Sequence, residues 1–596
     1  MKITDEQRRV IQEKQGPILV LAGPGAGKTT TLLERINYLA QEVDPSKILT
    51  LTFSKAQAQD MRERFKGNKS NFMTIHAFCY LIIRNFLKKY NREIRLLETD
   101  DSYNKYDLVK KIYYEINNKK ISSEDLREFF SKISYMKNAM LEEAYLKKLR
   151  IKNALAIYRT YEDFKREHFF IDFDDMQVLA LDLIDNNKAL LSSIRRRYDY
   201  IQVDEGQDTS LIQFKIIEQI AQPKNNLLIV ADDDQSIYSF RAADVSYLLN
   251  FKKTYPDGKI LTLRENHRST QAIVTRSQDF IKTNKHRYEK DLFTKNYNKS
   301  QVEVKVLKDV FDQYNFIKKN LDPNSKNAIL FRNNIQAINI LSFLMEDKIP
   351  FTYKFSEKDF FDSKIINDFF EIIRFSEDFY DRESFSEIYY KIESYLSKDD
   401  IKKLDYKGIN QSVFDFYYRE GLPDSKLDRL IEREKQLNHI RNMSLDRKIN
   451  YIYKYMGYKS YITGFSNKYR EEIVNKDLFI ESLVNFTKGL KTLDEFYGKL
   501  ENLNELKNDE DSTLTLSTIH RSKGLEYDNV FVINLNENEF PMLIGDNLDE
   551  KIEEERRLMY VAMTRAKTNL YLLSFKKRGR ENLNPSVFIK EIKGLS

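Results

Sequence analysis

PILVLAGPGAGKTTT, residues 17–31, is the stretch on which the reading of this chain turns. Ile18-Leu19-Val20-Leu21 is a short apolar run of the kind that forms a buried strand. It breaks into glycines at 23, 25 and 27, ends on Lys28-Thr29-Thr30, and gives way to Leu32, Leu33 and Ile36 at helical spacing. Strand, glycine-rich turn and helix start are the setting a phosphate-binding loop requires. Backbone N–H groups of Gly25, Ala26, Gly27 and Lys28 then converge on phosphate oxygens at the positive end of the helix. Lys28 reaches toward the β- and γ-phosphates, and the Thr29 hydroxyl is placed to hold Mg²⁺. Ala22 stands where the general pattern has glycine, while Gly23 and Gly25 still keep the loop free of side chains. A plain glycine turn beside a surface lysine would not need both the strand and the helix, so the stretch reads as a nucleotide site.

Working outward, 596 residues correspond to about four domain-sized units at roughly 150 residues each. A hydrophobic content of 41% supports several cores. The net charge of +7 is small against 98 basic and 91 acidic residues, so any case for nucleic acid must rest on local features. A single cysteine, Cys79, excludes a disulfide framework within the chain and a cysteine-based zinc site. The polar start, MKITDEQRRVIQEKQ, has no signal-peptide core, and no apolar run approaches ~20 residues. The expectation is a soluble cytoplasmic protein with no membrane partner.

Gln7 lies one short helix upstream of the loop, and its amide offers the donor and acceptor that suit the N6/N7 edge of adenine. SKILTLTF (46–53) reads as a second strand, and Met73 to Phe78 opens a helix; strands alternating with helices argue for a parallel α/β sheet. From about residue 86 to 170 the chain becomes helical, rich in lysine and tyrosine, and nearly free of glycine and proline, as an all-α insertion would be. YDYIQV (198–203) is a strand ending in Asp204-Glu205, and an acidic pair at the carboxyl end of a strand is where an α/β sheet places its ligand chemistry. Asp204 can bind Mg²⁺, mainly through water, and Glu205 can take the proton from an attacking water. NLLIV (226–230) leads to Gln235, whose amide can touch both the γ-phosphate and that water. Tyr238, Phe240 and Arg241 follow: aromatics beside a cation can stack unpaired bases and hold a phosphate. A second α/β unit is expected from near residue 264, interrupted by another helical, tyrosine-rich stretch from about 377 to 511. It resumes at LTLSTIHRSKGLEY (514–527), with a strand at 529–535, a cationic helix over 553–567 and a last strand at 570–573.

AGPGAGKTT, TFSKAQAQDMRERF, TIHAFC, VDEGQD, DDDQSIYSFRAAD, ENHRST, STIHRSKGLEY and EEERRLMYVAMTRAK occur in one order. In that order they closely resemble the UvrD/Rep/PcrA type of superfamily 1 helicases, from Thr4 to Lys567. The resemblance implies an α/β fold of two RecA-like parallel-sheet domains with two mostly α-helical insertions. The corresponding boundaries are 1–85 and 171–265 for the first domain, 86–170 for its insertion, 266–376 and 510–596 for the second domain, and 377–509 for a shortened second insertion. It also implies that Gln7 reads adenine and that His267 stacks near the base. Arg268 and Arg565 would reach the γ-phosphate from the second unit, and Glu526 would touch the sugar. Phe53, Thr74, His76, Tyr238, Phe240 and His520 would line a single-strand path.

The implied activity is ATP- and Mg²⁺-dependent 3′-to-5′ travel on single-stranded DNA with unwinding of duplex at junctions, in repair or replication restart. A competing expectation is a DNA-sensing NTPase subunit of a nuclease or phage-defence complex, favoured by the short second insertion, with a nuclease or repair factor as protein partner. A P-loop enzyme acting on small molecules is the third; its turnover would be indifferent to added single strands.

Overall fold

Ile18–Ala22 (β1) is buried at every position, as a central strand flanked by helices on both faces must be. Its neighbours in the first sheet are Ile48–Thr52 (β2), Asn71–Thr74 (β3), Tyr200–Val203 (β4), Leu227–Ala231 (β5) and Lys259–Leu263 (β6). The order is β3-β2-β4-β5-β1-β6, and every neighbouring pair is parallel. The computed structural model describes residues 3–65, 70–354, 358–361, 363–406, 411–464, 470–506, 512–543, 547–579 and 581–594. By its contacts the chain divides into two units, Met1–Lys299 and Ser300–Ser596.

Because the six strands run the same way, their carboxyl ends share one edge of the first sheet. The phosphate loop follows β1, Phe53 follows β2, Thr74 ends β3, Asp204 follows β4, Asp232 follows β5 and Arg264 follows β6. This is the edge at which parallel α/β sheets bind ligands.

Between β3 and β4 the helices Lys105–Asn117, Ser123–Asn138 and Ala154–Glu167 build a core of their own from residues such as Val109, Ile112, Phe129, Ile133 and Ile157. A buried ionic cluster joins them to the next helix, Phe173–Asn186, whose N-cap is Asp172. Lys165 Nζ lies 2.7 Å from Asp172 and 2.5 Å from Asp175, and Lys137 Nζ lies 2.6 Å from Asp175.

Residues 266–299 belong to the first unit, past the boundary expected at 265. The Asn266 N–H donates to the Phe293 carbonyl at 2.7 Å, and the Phe293 N–H donates to the Arg264 carbonyl at 3.2 Å. The helix Gln271–Ile281 thus returns the chain to the end of β6 and does not open a new sheet.

The second unit contains Val302–Asp309 (β7), Asn327–Phe331 (β8), Thr352–Lys354 (β9), Leu514–Thr518 (β10), Tyr527–Val532 (β11), Ala566–Arg578 (β12) and Glu581–Asn582 (β13). Their order is β9-β10-β8-β11-β12-β13, with β7 also pairing β12, and only the β12–β13 pair is antiparallel. The helices between β9 and β10 do not form a core apart from this sheet: Phe369, Tyr417, Ile452 and Leu483 lie in one apolar cluster with Ile329, Phe331 and Phe531. Among the described residues no helix is long and apolar enough to cross a membrane.

Candidate active site

The phosphate loop turns through left-handed backbone at Gly25 (φ 68°) and Gly27 (φ 78°), which side chains rarely adopt. Gly27 is also the N-cap of the helix Lys28–Leu39 (α1), so the loop's N–H groups lead into a helix N-terminus. The tip of Leu292 lies against Gly23 and the Gln7 amide against Gly27, so a Cβ at either glycine would displace that side chain. The buried Gln7 amide donates to the Ala26 carbonyl at 3.1 Å and accepts from the Thr4 N–H at 3.0 Å. Each end of that amide has one hydrogen-bonding position in use, which leaves capacity for a base edge.

Lys28 Nζ lies 2.9 Å from Glu205 Oε2, and both side chains are largely buried. Burial alone would pull the Lys28 ammonium down, but the carboxylates of Glu205, Asp232 and Asp204 outweigh it and hold its pKa above the ordinary lysine value. Asp204, fully enclosed at the end of β4, is pushed up to about 7 by burial and then by the negative charge of Glu205. Glu205 itself takes left-handed backbone (φ 54°), which turns its carboxylate toward the loop; its N–H donates to Asp204 Oδ1 at 3.0 Å. Gln207 links the acidic pair to the next strand, donating from Nε2 to Glu205 while its Oε1 accepts from the Asp232 N–H at 2.9 Å.

At the end of β5, Asp232, Asp233 and Asp234 are wholly buried. Their carboxylates lie close enough together for a divalent ion, yet Lys290 Nζ already lies 2.7, 2.6 and 2.9 Å from them. The other such group, Glu162 with Asp172 and Asp175, is likewise neutralised by Lys137 and Lys165. Gln235, one turn on, donates from Nε2 to Asp232 Oδ2 at 2.7 Å.

The segment after β6 is laced onto the phosphate loop. Asn266 donates from Nδ2 to the Pro24 carbonyl at 2.8 Å, and its Oδ1 accepts from the Arg268 and Ser269 N–H groups, both at 2.8 Å. The His267 N–H donates to the Gly25 carbonyl at 3.0 Å, and Arg268 Cβ lies against Gly25. By contacts Arg268 falls in the first unit, beside the phosphate loop, where Asn266 ties its backbone. His267 lines a cavity of about 740 Å³ with Ile3, Thr4, Glu6, Glu265 and Phe293. Thr29 and Thr30 are half-buried in the first turn of α1.

On the same sheet edge Phe53 and Tyr238 stack, with ring centroids 5.0 Å apart and planes 24° from parallel. Phe240 follows at 5.9 Å from Tyr238, and the Arg241 guanidinium lies 5.7 Å and 5.6 Å from the two ring centroids. Phe240 is 52% exposed, so its ring is open to a further stacking partner. Thr74 caps the helix Ile75–Lys88, accepting from the Ala77 N–H at 3.1 Å. His76 Nε2 lies 3.2 Å from Gln177 Nε2, and burial lowers its pKa, so the ring is neutral and accepts this bond.

Within the second unit Glu526 and Arg565 immediately precede β11 and β12, at their amino ends, whereas His520 follows β10 at its carboxyl end. Arg565 is buried, donating to the Val561 carbonyl at 2.9 Å and to the Leu525 carbonyl at 3.3 Å. Glu526 pairs with Lys567 at 2.8 Å.

Asn266, Gln207 and Lys290 were not singled out from sequence. Gln207 and Asn266 lie inside quoted motifs, so position was a signal; Lys290 lies in a run of charged residues with none.

A glycine loop opening a helix, faced by a lysine-paired carboxylate at the end of β4, two strands along the same sheet edge, defines a P-loop nucleoside triphosphatase. The UvrD/REP helicase N-terminal domain matches residues 3–256 and the UvrD-like helicase C-terminal domain matches residues 261–577. A protein of Mycoplasma capricolum described as a probable DNA helicase II homolog is 30% identical, over 99% of this chain and 87% of its own length. The ATP-dependent DNA helicase PcrA of Staphylococcus aureus is 28% identical, over 98% of this chain and 86% of its own. The chain therefore belongs to the UvrD/REP helicase family, a class of DNA-dependent ATPases.

Proposed function

We propose that this chain hydrolyses ATP to travel 3′ to 5′ along single-stranded DNA and to unwind duplex at single/double-strand junctions. Its setting is DNA repair or replication restart in the cytoplasm, with a nuclease or repair factor as partner. The observation that carries this reading is the short segment after β5: Gln235, bonded to Asp232, is followed three residues later by Tyr238, which stacks on Phe53. A side chain suited to a γ-phosphate and a platform suited to bases thus share one loop.

Lys28, now paired with Glu205, transfers to the β- and γ-phosphates when ATP enters. Glu205 keeps Gln207 as its partner and becomes the acceptor for the proton of the attacking water. The donors at Thr29 and Asp204 are a hydroxyl and a buried carboxyl, the hard oxygens Mg²⁺ prefers; when bound there, the ion neutralises phosphate charge and keeps Asp204 ionised. Gln7 reads the adenine edge and His267 stacks beside the base, next to the cavity that His267 lines. Arg268 supplies positive charge at the phosphates from beside Gly25. Phe53, Thr74, His76, Tyr238, Phe240, Arg241 and His520 line the strand. ATPase activity with and without single-stranded DNA, followed by strand displacement on a 3′-tailed and a 5′-tailed duplex, tests the proposal. ATP turnover indifferent to single strands would sink it, and unwinding only from the 5′ tail would sink the polarity.

A further inference from the structure

We propose that Lys290 is a positioning residue for hydrolysis: a tethered cation that holds the β5 loop so that Gln235 is presented to the nucleotide. Lys290 lies outside every motif quoted above, is 1% exposed, and touches all three aspartates at the head of that loop. Three adjacent buried carboxylates would repel one another and swing the loop outward; one ammonium at 2.6–2.9 Å from each removes that repulsion. Arg287 adds a two-pronged contact to Asp234 at 2.8 Å on both sides, and the Tyr288 N–H donates to Asp233 at 2.7 Å, so the cluster is clamped from one short segment.

The clamp connects directly to the chemistry. Asp232 has Lys290 on Oδ1 and Gln235 on Oδ2, both at 2.7 Å, so the lysine fixes the carboxylate that aims the glutamine. The Asp232 N–H is also held by Gln207, which donates to Glu205. Lys290 is thus one carboxylate away from Gln235 and two links away from the carboxylate assigned as proton acceptor. This inference rests on the proposed role of Gln235, and the test separates the two.

Lys290→Met keeps the aliphatic stem and removes the charge. Lys290→Met/Asp233→Asn also removes one of the stranded carboxylates, so a folded protein is available if the single variant is too unstable. The expected result in either folded variant is a kcat for strand-stimulated ATP hydrolysis at least tenfold below the parent. The Kd for a fluorescent ATP analogue should stay within threefold, because Lys28 and Gln7 are untouched. Lys290→Arg, which restores a cation, should recover part of the lost kcat. A folded variant that hydrolyses within twofold of the parent overturns the proposal, and so does a loss of kcat accompanied by an equal loss of nucleotide affinity. Gln235→Ala is the control. If it hydrolyses normally, the role of Gln235 fails and this proposal with it. If it is inactive while Lys290→Met is active, only the positioning role fails.

Discussion

Asn266→Ala tests whether the strap after β6 holds the phosphate loop. The side chain makes three bonds, one to the Pro24 carbonyl and two from the Arg268 and Ser269 N–H groups, all at 2.8 Å, and it is buried. At about 1 kcal/mol for each net hydrogen bond the loss is ~3 kcal/mol. At about 2 °C per kcal/mol for a unit of this size, the melting transition should fall by ~6 °C. If the whole loss falls on the loop's binding-competent form, nucleotide affinity drops by up to about 100-fold, at 1.4 kcal/mol per decade. Thermal melts and titration with a fluorescent ATP analogue read the two effects separately. Asn266→Asp keeps an acceptor for the two N–H groups but faces the Pro24 carbonyl with a carboxylate, so it should retain more of the melting temperature than of the affinity. Unchanged affinity in a folded Asn266→Ala protein would refute the strap's role at the phosphate site, whatever the melting temperature does.

Lys28→Ala and Glu205→Gln should each abolish hydrolysis, with Glu205→Gln still binding ATP; near-normal turnover in either, in a phosphate-release assay, would defeat the assignment of the site. Phe240→Ala should weaken single-strand binding by ~1–3 kcal/mol of lost stacking and slow strand-coupled movement more than basal ATPase. Because the ring is half exposed, its melting temperature should barely move, and equal translocation rates in mutant and parent would remove Phe240 from the path. Glu481, 3.3 Å from Arg578, is pushed up to about 7 by burial, with Glu539 adding to the shift and Arg578 opposing it. The folded chain therefore holds a proton between pH 4.5 and 7 that the unfolded chain has lost, and its stability falls as pH rises through that window. Glu481→Gln should be more stable than the parent at pH 8, by about 1–2 kcal/mol after allowing for partial exposure, and closer to it at pH 5. A difference independent of pH in denaturant titrations would show that Glu481 does not carry the effect.

Much of the first unit was legible because its signals are local. A continuous apolar run such as Ile18–Ala22 or Leu227–Ala231 announces a strand buried on both faces, and the motif residues follow those runs directly. NAILF at 327–331 is a strand over just those residues. What was missed depends on distant partners. Met73 and Thr74, read from sequence into the following helix, end the edge strand Asn71–Thr74, which is only half-buried, and the helix start is set by Thr74 as the cap. Val302, Val304 and Val306 do alternate, but β7 was masked by the charged residues between them. The strand expected over 529–535 ends at Val532, and Asn534 adopts left-handed backbone (φ 55°) beyond it. The contacts divide the chain at 299, past the expected 265, because the Phe293 N–H reaches back to the Arg264 carbonyl, a pairing across that position which neither segment announces alone. The long helical stretch before β10 was separated by composition, whereas its apolar faces share one core with the second sheet.

On the proposed strand path, two routes would connect the strand to the residues assigned to hydrolysis in the first unit, and their chemistry ranks them. One runs from His76 through Gln177 to Asn138, which accepts from Ser210 Oγ at 3.1 Å and from Gln177 at 3.1 Å. Its links are neutral imidazole, amide and hydroxyl groups, with one tether from Asn138 to Asp174 at 2.9 Å, and each neutral bond costs only about 1 kcal/mol to exchange. The other runs along the backbone from Phe240 and Tyr238 to Gln235 and Asp232, where buried carboxylates meet Lys290 and Arg287. Charge-assisted contacts are about twice as strong as neutral ones, and breaking one ion of a buried set leaves charge without compensation. A displacement of Tyr238 therefore reaches Gln235 through a stiff segment anchored at its far end, while the same displacement at His76 is absorbed by a network with slack. If the proposed strand path holds, this ordering predicts that Phe53 and Phe240 would act by steering the Tyr238 ring on which they pack, and that His76 would fix the strand's position more than report it.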